Sequence, residues 1–158
     1  MEMDALKALL NNDDRFCRYN GMRIDVLRLG YAEAVMDITE NSLNGLGIAQ
    51  GGSIFTLADL AFAGAANSHG FRTVGLNSNI NFIRPGVGRQ LRAKATEVSR
   101  GRRTCVYRVE AFNDDGKIVL RRGASSIFTI YNALHHPRLP AGGHPQQHGL
   151  HSAVRQKE

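Results

Sequence analysis

Residues 51–68 constrain the fold of this chain more than any other segment, because they predict a long helix that is apolar on nearly all sides. Such a helix is buried over most of its surface, so the rest of the chain is expected to cover it. The segment carries a single carboxylate, Asp59. An unpaired carboxylate in an apolar setting is costly, and its pKa usually rises. Asp59 is therefore a candidate functional residue; the alternative is that it lies with Thr56 on a narrow solvent-facing stripe.

The start of this helix is a second candidate site. Gln50-Gly51-Gly52-Ser53 places two glycines where the first backbone N–H groups of a helix lack intrahelical partners. Free N–H groups and the helix dipole both favour negative charge, and glycine lets a ligand approach the backbone. The sequence therefore predicts a site for an anion or a developing oxyanion. The alternative is a glycine turn with Ser53 as the N-cap residue.

The spacing of the two candidates predicts that two chains are needed. Asp59 follows Gly51 by eight residues, which is roughly 12 Å along a helix axis. A base and an oxyanion donor must both lie about 3 Å from one reacting group, so one copy of the helix does not supply both. Two antiparallel copies across a two-fold axis would place Gly51 of one chain opposite Asp59 of the other. If this is an enzyme site, we expect a homodimer with two composite sites.

Hydrophobic periodicity around the helix predicts an antiparallel sheet. The alternation is clearest in residues 73–83, and Asp114-Asp115-Gly116 is typical of a hairpin turn. The predicted order is a short helix over 4–12, strands over 22–29 and 32–39, the long helix, and strands over 73–83, 91–98, 104–113 and 118–131. This order excludes a doubly wound βαβ fold and predicts the α+β class, with one helix against an antiparallel sheet.

Length and composition indicate one domain, which we expect to occupy residues 1–134 of the 158. A flexible tail rich in His, Pro and Gly is expected over 135–158, where nothing would fix the geometry of a zinc or nickel site. No apolar run approaches the roughly 20 residues that cross a bilayer. The acidic N-terminus does not resemble a secretory signal or a transit peptide, and Cys17 and Cys105 lack metal-ligand spacing. We therefore expect a cytoplasmic protein without a metal and without membrane association.

Positive charge is concentrated in the second part of the chain. Residues 1–60 hold five basic and nine acidic side chains, whereas residues 61–158 hold fifteen basic and five acidic ones. Sixteen of the twenty basic residues are Arg, whose forked guanidinium suits phosphate. A phosphorylated small molecule, nucleic acid or a membrane surface would fit this charge. A nucleic-acid-binding module is disfavoured, because the chain has no interleaved surface aromatics and no known motif of that class.

Two motifs surround the predicted helix. The first runs from Asn44-Gly45 through Gln50-Gly51-Gly52 and Ile54-Phe55-Thr56-Leu57-Ala58-Asp59 to Gly70, and the second is Asn79-Ile80-Asn81-Phe82-Ile83-Arg84-Pro85-Gly86. Together they resemble the hotdog-fold acyl-CoA thioesterases, in particular the phenylacetic-acid-degradation (PaaI) group of the 4-hydroxybenzoyl-CoA thioesterase superfamily. The likeness spans about residues 15–131. It implies a hotdog fold, in which an antiparallel sheet wraps around one long central α-helix.

The resemblance implies a thioester hydrolase that converts an aryl or medium-chain acyl-CoA to free acid and CoA, and it connects the chain with phenylacetate degradation. In this interpretation Asp59 acts as general base or as nucleophile, the Gly51 N–H holds the thioester oxygen, and Asn44 orients substrate or water. The residues implied to position the substrate are Gln50, Gly52, Asn77 and Ser78. The PaaI group usually carries His at the position of Gln50; Gln donates a hydrogen bond but does not become cationic near neutral pH.

CoA is part of the substrate in this interpretation, so no cofactor is expected. The residues expected to meet its phosphates are Arg84, Arg100, Arg102 and Arg103. Each Arg has the alternative of belonging to a solvated basic turn. The expected partner is a second copy of the chain, with a homotetramer built as a dimer of dimers, and no nucleic acid.

Two other functions of the same fold compete with hydrolysis. One is a hotdog protein that binds acyl-CoA as a sensor without turnover, which the joint presence of Asp59, Gly51 and Asn44 disfavours. The other is a hotdog hydratase, which would need an Asp–His pair. The only His that follows Asp59 before the tail is His69, so we discount a hydratase.

Overall fold

One long helix and an antiparallel sheet make up the described part of the chain, residues 2–121 and 128–132 of a computed structural model. The helices are α1 (Met3–Asp13), α2 (Arg15–Tyr19) and α3 (Gly51–Asn67), with a 3₁₀ turn at Glu40–Ser42. The strands are β1 (Met22–Arg28), β2 (Tyr31–Asp37), β3 (Thr73–Asn77), β4 (Asn81–Phe82), β5 (Gln90–Arg100), β6 (Cys105–Asn113), β7 (Ile118–Arg121) and β8 (Phe128–Asn132). The predicted α+β class, with one long helix against an antiparallel sheet, is confirmed.

The strand order sets where α3 lies. Hydrogen-bonded strands follow the order β1-β2-β5-β6-β7-β4, each antiparallel to its neighbours. Strand β8 pairs with β6 and with β3, so β3 joins the described sheet only through β8. Helix α3 packs against β1, β2, β5 and β6, while α1 and α2 pack on β1 beside it. The helix therefore crosses the middle of the sheet, with both of its ends near strand ends and loops.

Small side chains line the face of the sheet that α3 covers. Ala34, Ala93 and Ala111 lie side by side on β2, β5 and β6, and all three are fully buried. The helix presents small buried residues in return, namely Ala58, Ala61, Gly64, Ala65 and Ala66. The two backbones consequently come close together: a Cβ placed on Gly64 would lie 2.9 Å from the Cβ of Ala32, well inside the usual separation of about 3.5–4.0 Å between carbon atoms.

One predicted strand is divided in the structure. The segment predicted as one strand over 73–83 forms β3 and β4, because Thr73–Asn77 pairs with β8 whereas Asn81–Phe82 pairs with β7. The strand predicted over 118–131 is described at both of its ends, as β7 and β8, and the residues between them lie outside the described part of the chain. Helix α2 is absent from the sequence prediction. Its N-cap, Asp14, accepts a hydrogen bond from the Cys17 N–H at 2.9 Å.

Some sequence predictions fall outside the described residues. The tail over 135–158, its histidines and the domain boundary at residue 134 lie there and stay predictions. Within residues 2–121 and 128–132, no helix has the length and the apolar character that spanning a membrane requires. The same residues contain no group of three or more His, Cys, Asp or Glu side chains placed to hold a metal ion.

Gly64→Ala tests the close contact between α3 and the sheet. We expect the free energy of unfolding to fall by about 1 kcal/mol, because overpacking of a core costs about 1–3 kcal/mol and the gain of about 1 kcal/mol in helix propensity offsets only part of that. Gly45→Ala is the matched control, since a Cβ there meets no atom within 4 Å. Urea denaturation of both variants measures the effect. Equal stability of the Gly64→Ala protein and the wild type would contradict the close packing.

Candidate active site

The first turn of α3 is capped by Gln50. Its side-chain Oε1 accepts hydrogen bonds from the Gly52 N–H and, at 3.2 Å, from the Ser53 N–H. The alternative in which Ser53 caps the helix is therefore wrong. A Cβ on Gly52 would lie 2.7 Å from Gln50 Oε1, so glycine at position 52 gives the cap room. The oxygen of Gln50 accepts from two backbone N–H groups, so Nε2 is the remaining donor of the side chain. Gln50 and Gly52, predicted to position the substrate, line neither of the two pockets described below.

The Gly51 N–H is the free donor at the helix start. The Ile54 N–H is bonded to the Gln50 carbonyl at 3.2 Å, and the two N–H groups between are capped. Among the described residues, no acceptor bonds the Gly51 N–H. The positive end of the helix dipole lies at the same place. This single N–H is thus available to an anion or to an oxygen that gains negative charge.

A pocket of about 350 Å³ surrounds this donor, within the usual size range of ligand sites. We call it the helix-start pocket. Its lining residues are Asn44, Ile48, Ala49, Gly51, Ile54, Phe82, Ile83, Arg84, Pro85 and Gly86. The structure therefore brings together three of the predicted site residues, Asn44, Gly51 and Arg84. It adds Phe82, whose ring would be 3.3 Å from a Cβ on Gly51.

Asn44 shapes the loop that forms one wall of this pocket. Its Oδ1 accepts hydrogen bonds from the Leu46 N–H at 2.9 Å and the Ile48 N–H at 3.4 Å. Because these N–H groups fix which atom is the oxygen, the Nδ2 group is the remaining donor of the side chain. Arg84 is exposed and donates one bond, from Nη1 to the Ile118 carbonyl at 3.3 Å. A guanidinium has five N–H donors, so Arg84 keeps capacity for an anion.

Asp59 lines a second pocket, which we call the Asp59 pocket. It has a volume of about 300 Å³ and is lined by Phe55, Asp59, Gly75, Leu76, Asn77 and Ser78. The predicted site residues Asn77 and Ser78 are thus brought to Asp59. The Asp59 side chain is exposed in the single chain, and no hydrogen bond joins it to another described residue. Phe55 of α3 and Leu76 of β3 lie beside it in the pocket.

Loss of water and a neighbouring charge raise the pKa of Asp59. Desolvation is the larger cause, and the negative charge of Asp14 is the smaller one. Helix α2 contacts α3 and so brings Asp14 near Asp59. A carboxylate with a raised pKa is a stronger base at neutral pH than an ordinary one. Asp14 is not among the residues predicted from the sequence, since nothing local relates two residues 45 positions apart.

The two pockets share no lining residue in a single chain. Gly51 lies in one and Asp59 in the other, as the spacing of about 12 Å along the helix predicts. Neither pocket alone holds both an oxyanion donor and a carboxylate.

The residues of the basic hairpin between β5 and β6 line neither of the two pockets. Arg100 Nη1 is 3.4 Å from Glu97 Oε2, and its guanidinium lies 5.6 Å from the centre of the Phe71 ring. Arg102 and Arg103 are exposed in the hairpin turn. Glu97 also pairs with His69, which follows the end of α3. The predicted CoA-binding residues are therefore separated: Arg84 is at the start of α3, and the other three are near its end.

In the described chain, His69 has a structural role because it pairs with Glu97. Its Nε2 lies 2.8 Å from Glu97 Oε2, and the same oxygen accepts a hydrogen bond from the Tyr107 hydroxyl at 2.6 Å. His69 follows Asp59 by ten residues, roughly 15 Å along a helix axis. The Asp–His pair of a hydratase is not formed within one chain.

Comparison with known proteins assigns the family. A sequence profile of the thioesterase superfamily matches residues 46–120. Over 106 residues the chain is 42% identical to the acyl-coenzyme A thioesterase PaaI of Escherichia coli, an alignment that covers 65% of this chain and 76% of that protein. The chain belongs to the thioesterase superfamily.

Solved structures place this thioesterase among the PaaI-like hotdog proteins. The E. coli PaaI protein from the phenylacetic acid degradation operon matches with a TM-score of 0.76 and 30% identity, over 82% of this chain and 92% of that one. A hypothetical thioesterase of Streptococcus pneumoniae, solved with coenzyme A, matches with a TM-score of 0.66 and 31% identity, over 73% of this chain and 90% of that one. The predictions of a hotdog fold and of a thioester hydrolase are confirmed.

Asp14→Asn tests the link between α2 and the candidate base. Asn keeps the N-cap acceptor for the Cys17 N–H but removes the charge that helps to raise the pKa of Asp59. Activity that needs the ionised carboxylate is lost as the pH falls through its pKa, so the acid limb of the kcat/KM profile should move to lower pH. Asp13→Asn, a neutralisation one residue away, is the control. An unmoved limb, or an equal shift in both variants, would contradict the link.

Proposed function

We propose that this thioesterase hydrolyses acyl-CoA in composite sites, where Gly51 of one copy and Asp59 of a second copy act on the same thioester. The observation that carries the proposal is the division of the two groups between separate pockets of one chain. Each pocket holds half of what thioester hydrolysis needs: a free N–H at a helix start, or a carboxylate with a raised pKa. A two-fold axis supplies the other half to both sites at once.

The surface around β3 supports a second copy as the partner. Val74 and Leu76 of β3 are each 55% exposed, and Phe82 and Ile83 nearby are 52% and 49% exposed. Among the described strands β3 pairs only with β8, so its other edge is open. An apolar strand with an open edge is a ready surface for antiparallel pairing. Gly75 to Ser78 also line the Asp59 pocket, so a partner bound along β3 would border Asp59.

Pairing Gly51 with Asp59 fixes the register of the two helices. The residue midway between them, Phe55, would lie at the two-fold axis. Phe55 is only partly buried in the single chain and lines the Asp59 pocket. The end of each α3 would then extend beyond the start of the other. The hairpin of Arg100, Arg102 and Arg103 would lie on that side of the thioester, where it is proposed to meet the far end of CoA.

The proposed reaction uses water, one carboxylate and one N–H group. The thioester oxygen accepts a hydrogen bond from the Gly51 N–H, and the helix dipole stabilises the negative charge that develops on it. Asp59 of the other copy removes a proton from water, which attacks the carbonyl carbon. The carbon–sulfur bond breaks, CoA leaves as the thiolate and takes up a proton, and the acid is released. In the nucleophilic variant, Asp59 attacks first and water hydrolyses the resulting anhydride.

Several finer features belong to the same proposal. CoA is bound as part of the substrate, which the coenzyme A complex of the Streptococcus pneumoniae thioesterase supports, and no cofactor takes part. The proposed acyl group is aryl or medium-chain, for which Ile48, Ile54 and Phe82 of the helix-start pocket offer apolar contacts. The protein acts in the cytoplasm, where the free thiols of Cys17 and Cys105 stay reduced. A dimer of dimers is the proposed assembly.

Complementation between two inactive variants tests the composite site. Asp59→Asn should lower turnover of acyl-CoA by at least about 10²-fold, as loss of a general base does. Gly51→Val should also be nearly inactive, because its side chain meets the Phe82 ring and fills the place of the thioester. In a refolded equal mixture about half of the dimers are mixed, each with one intact site, so roughly a quarter of wild-type activity should return. CoA release measured with a thiol reagent gives the rates.

The controls for this experiment separate assembly from chemistry. Each variant refolded alone should stay inactive, and Asp4→Asn should leave turnover at the wild-type value because Asp4 is exposed on α1. Mass spectrometry shows whether mixed dimers are present. If mixed dimers form and no activity returns, the two groups act within one chain and the composite site is wrong.

Esters of CoA and of pantetheine separate nucleotide binding from catalysis. Arg84→Gln should raise KM for CoA esters about 10-fold, as expected for one lost charge-assisted hydrogen bond, with little change in kcat. The triple change of Arg100, Arg102 and Arg103 to Gln should act in the same direction. KM for pantetheine esters, which lack the nucleotide phosphates, should not change. Arg108→Gln, at an exposed position of β6, is the control. Equal effects on both esters would show that these arginines do not bind the nucleotide.

A further inference from the structure

We infer that Asn113 is a positioning residue that holds the Gly51 N–H in place through the loop Pro85–Val87; this inference rests on the proposed function. Asn113 ends β6 and is only 7% exposed. Its backbone is fixed by the β6–β7 turn, where its N–H donates to the Lys117 carbonyl at 2.9 Å and its carbonyl accepts from the Gly116 N–H at 3.0 Å. The side chain therefore projects from a rigid base.

The Asn113 side chain hydrogen-bonds to the loop backbone on both sides of Gly86. Its Oδ1 accepts a hydrogen bond from the Val87 N–H at 2.9 Å, and its Nδ2 donates to the Pro85 carbonyl at 3.3 Å. A buried amide with both ends satisfied by backbone fixes that backbone strongly, because breaking either bond leaves a buried polar group without a partner. The next residue holds the chain just beyond this loop, because Asp114 Oδ2 accepts a hydrogen bond from the Arg89 N–H at 2.9 Å.

Gly86 connects this loop to Ala49, in the segment that leads into α3. Its carbonyl accepts a hydrogen bond from the Ala49 N–H at 2.9 Å. A Cβ on Gly86 would lie 2.8 Å from the Ala49 Cβ, so the two backbones are in direct contact. Ala49 precedes Gly51 by two residues. A displaced loop thus displaces the peptide that leads into the oxyanion donor.

The same loop forms one wall of the helix-start pocket. Arg84, Pro85 and Gly86 all line it. Asn113 itself does not line the pocket, so it acts through the loop and not by touching substrate. Because misplacing a group by about 1 Å can cost up to 10²-fold in rate, looser anchoring should lower kcat while Asp59, in the other pocket, keeps its titration.

Asn113→Ala and the isosteric Asn113→Asp test the inference on the full-length protein. The Asp variant keeps the acceptor for the Val87 N–H but places an oxygen against the Pro85 carbonyl, and it serves if the Ala variant does not fold. We expect kcat for acyl-CoA to fall about 10-fold or more, with the acid limb of the pH profile unchanged. Amide hydrogen exchange should accelerate at Ala49 in both variants and at Val87 in the Ala variant, while exchange in the middle of α3 should not change.

Asn11→Ala is the matched control. The Asn11 side chain also bonds backbone at both ends: its Oδ1 accepts from the Ile24 N–H at 2.7 Å, and its Nδ2 donates to the Ile24 carbonyl at 3.1 Å. These bonds connect α1 to β1. Its loss should lower stability and leave kcat of the folded protein unchanged. Unchanged kcat in folded Asn113 variants, or an equal loss of kcat in the control, would overturn the inference, as would unchanged exchange at Ala49. If the wild type hydrolyses no acyl-CoA, the proposed function fails, and the exchange data alone decide whether Asn113 anchors the loop.

Discussion

The close packing of α3 on an alanine-lined sheet is the contact on which the rest of this structure depends. Gly64 leaves no room between the helix and Ala32, so the helix axis has one position relative to the strands. Close-packed interiors transmit displacement and do not absorb it. The positions of the helix start at Gly51 and of the carboxylate at Asp59 follow from that contact. Both candidate groups are thus held by the core and not by flexible loops.

The helix places two opposite electrostatic features at different points along its length. At its start, Gln50 satisfies two N–H groups and leaves that of Gly51 unused among the described residues. Two turns later, Asp59 has no hydrogen-bond donor in the described chain and an elevated pKa. The described fold uses neither group, since Asp59 is exposed and Gly51 is partly exposed in the single chain. Their presence on one helix is explained if a thioester and water occupy the space between two copies.

Asparagine side chains support the loops around the helix start. Asn44 closes its own loop through two accepted bonds, and Asn113 clamps a loop that comes from another part of the chain. The amide serves both purposes because it accepts and donates in one rigid plane. The basic hairpin is supported by a charged pair instead. Arg100 Nη1 lies 3.4 Å from Glu97 Oε2, and the other N–H donors of its guanidinium are those proposed to meet CoA.

The sequence by itself determined the fold class and pointed to the two groups that are proposed for the site. Apolar periodicity, the glycines at 51 and 52 and the lone carboxylate at 59 are local signals, and they arise from helix geometry and from the cost of burying charge. Only the tertiary structure decided four other features. They are the division of 73–83 into β3 and β4, the approach of Asp14 to Asp59, the hydrogen bonds from Asn113 to the loop Pro85–Val87, and the pairing of Arg100 with Glu97. Each depends on which distant strands and helices become neighbours, and pairing across long stretches of chain leaves no signal in the residues taken one segment at a time.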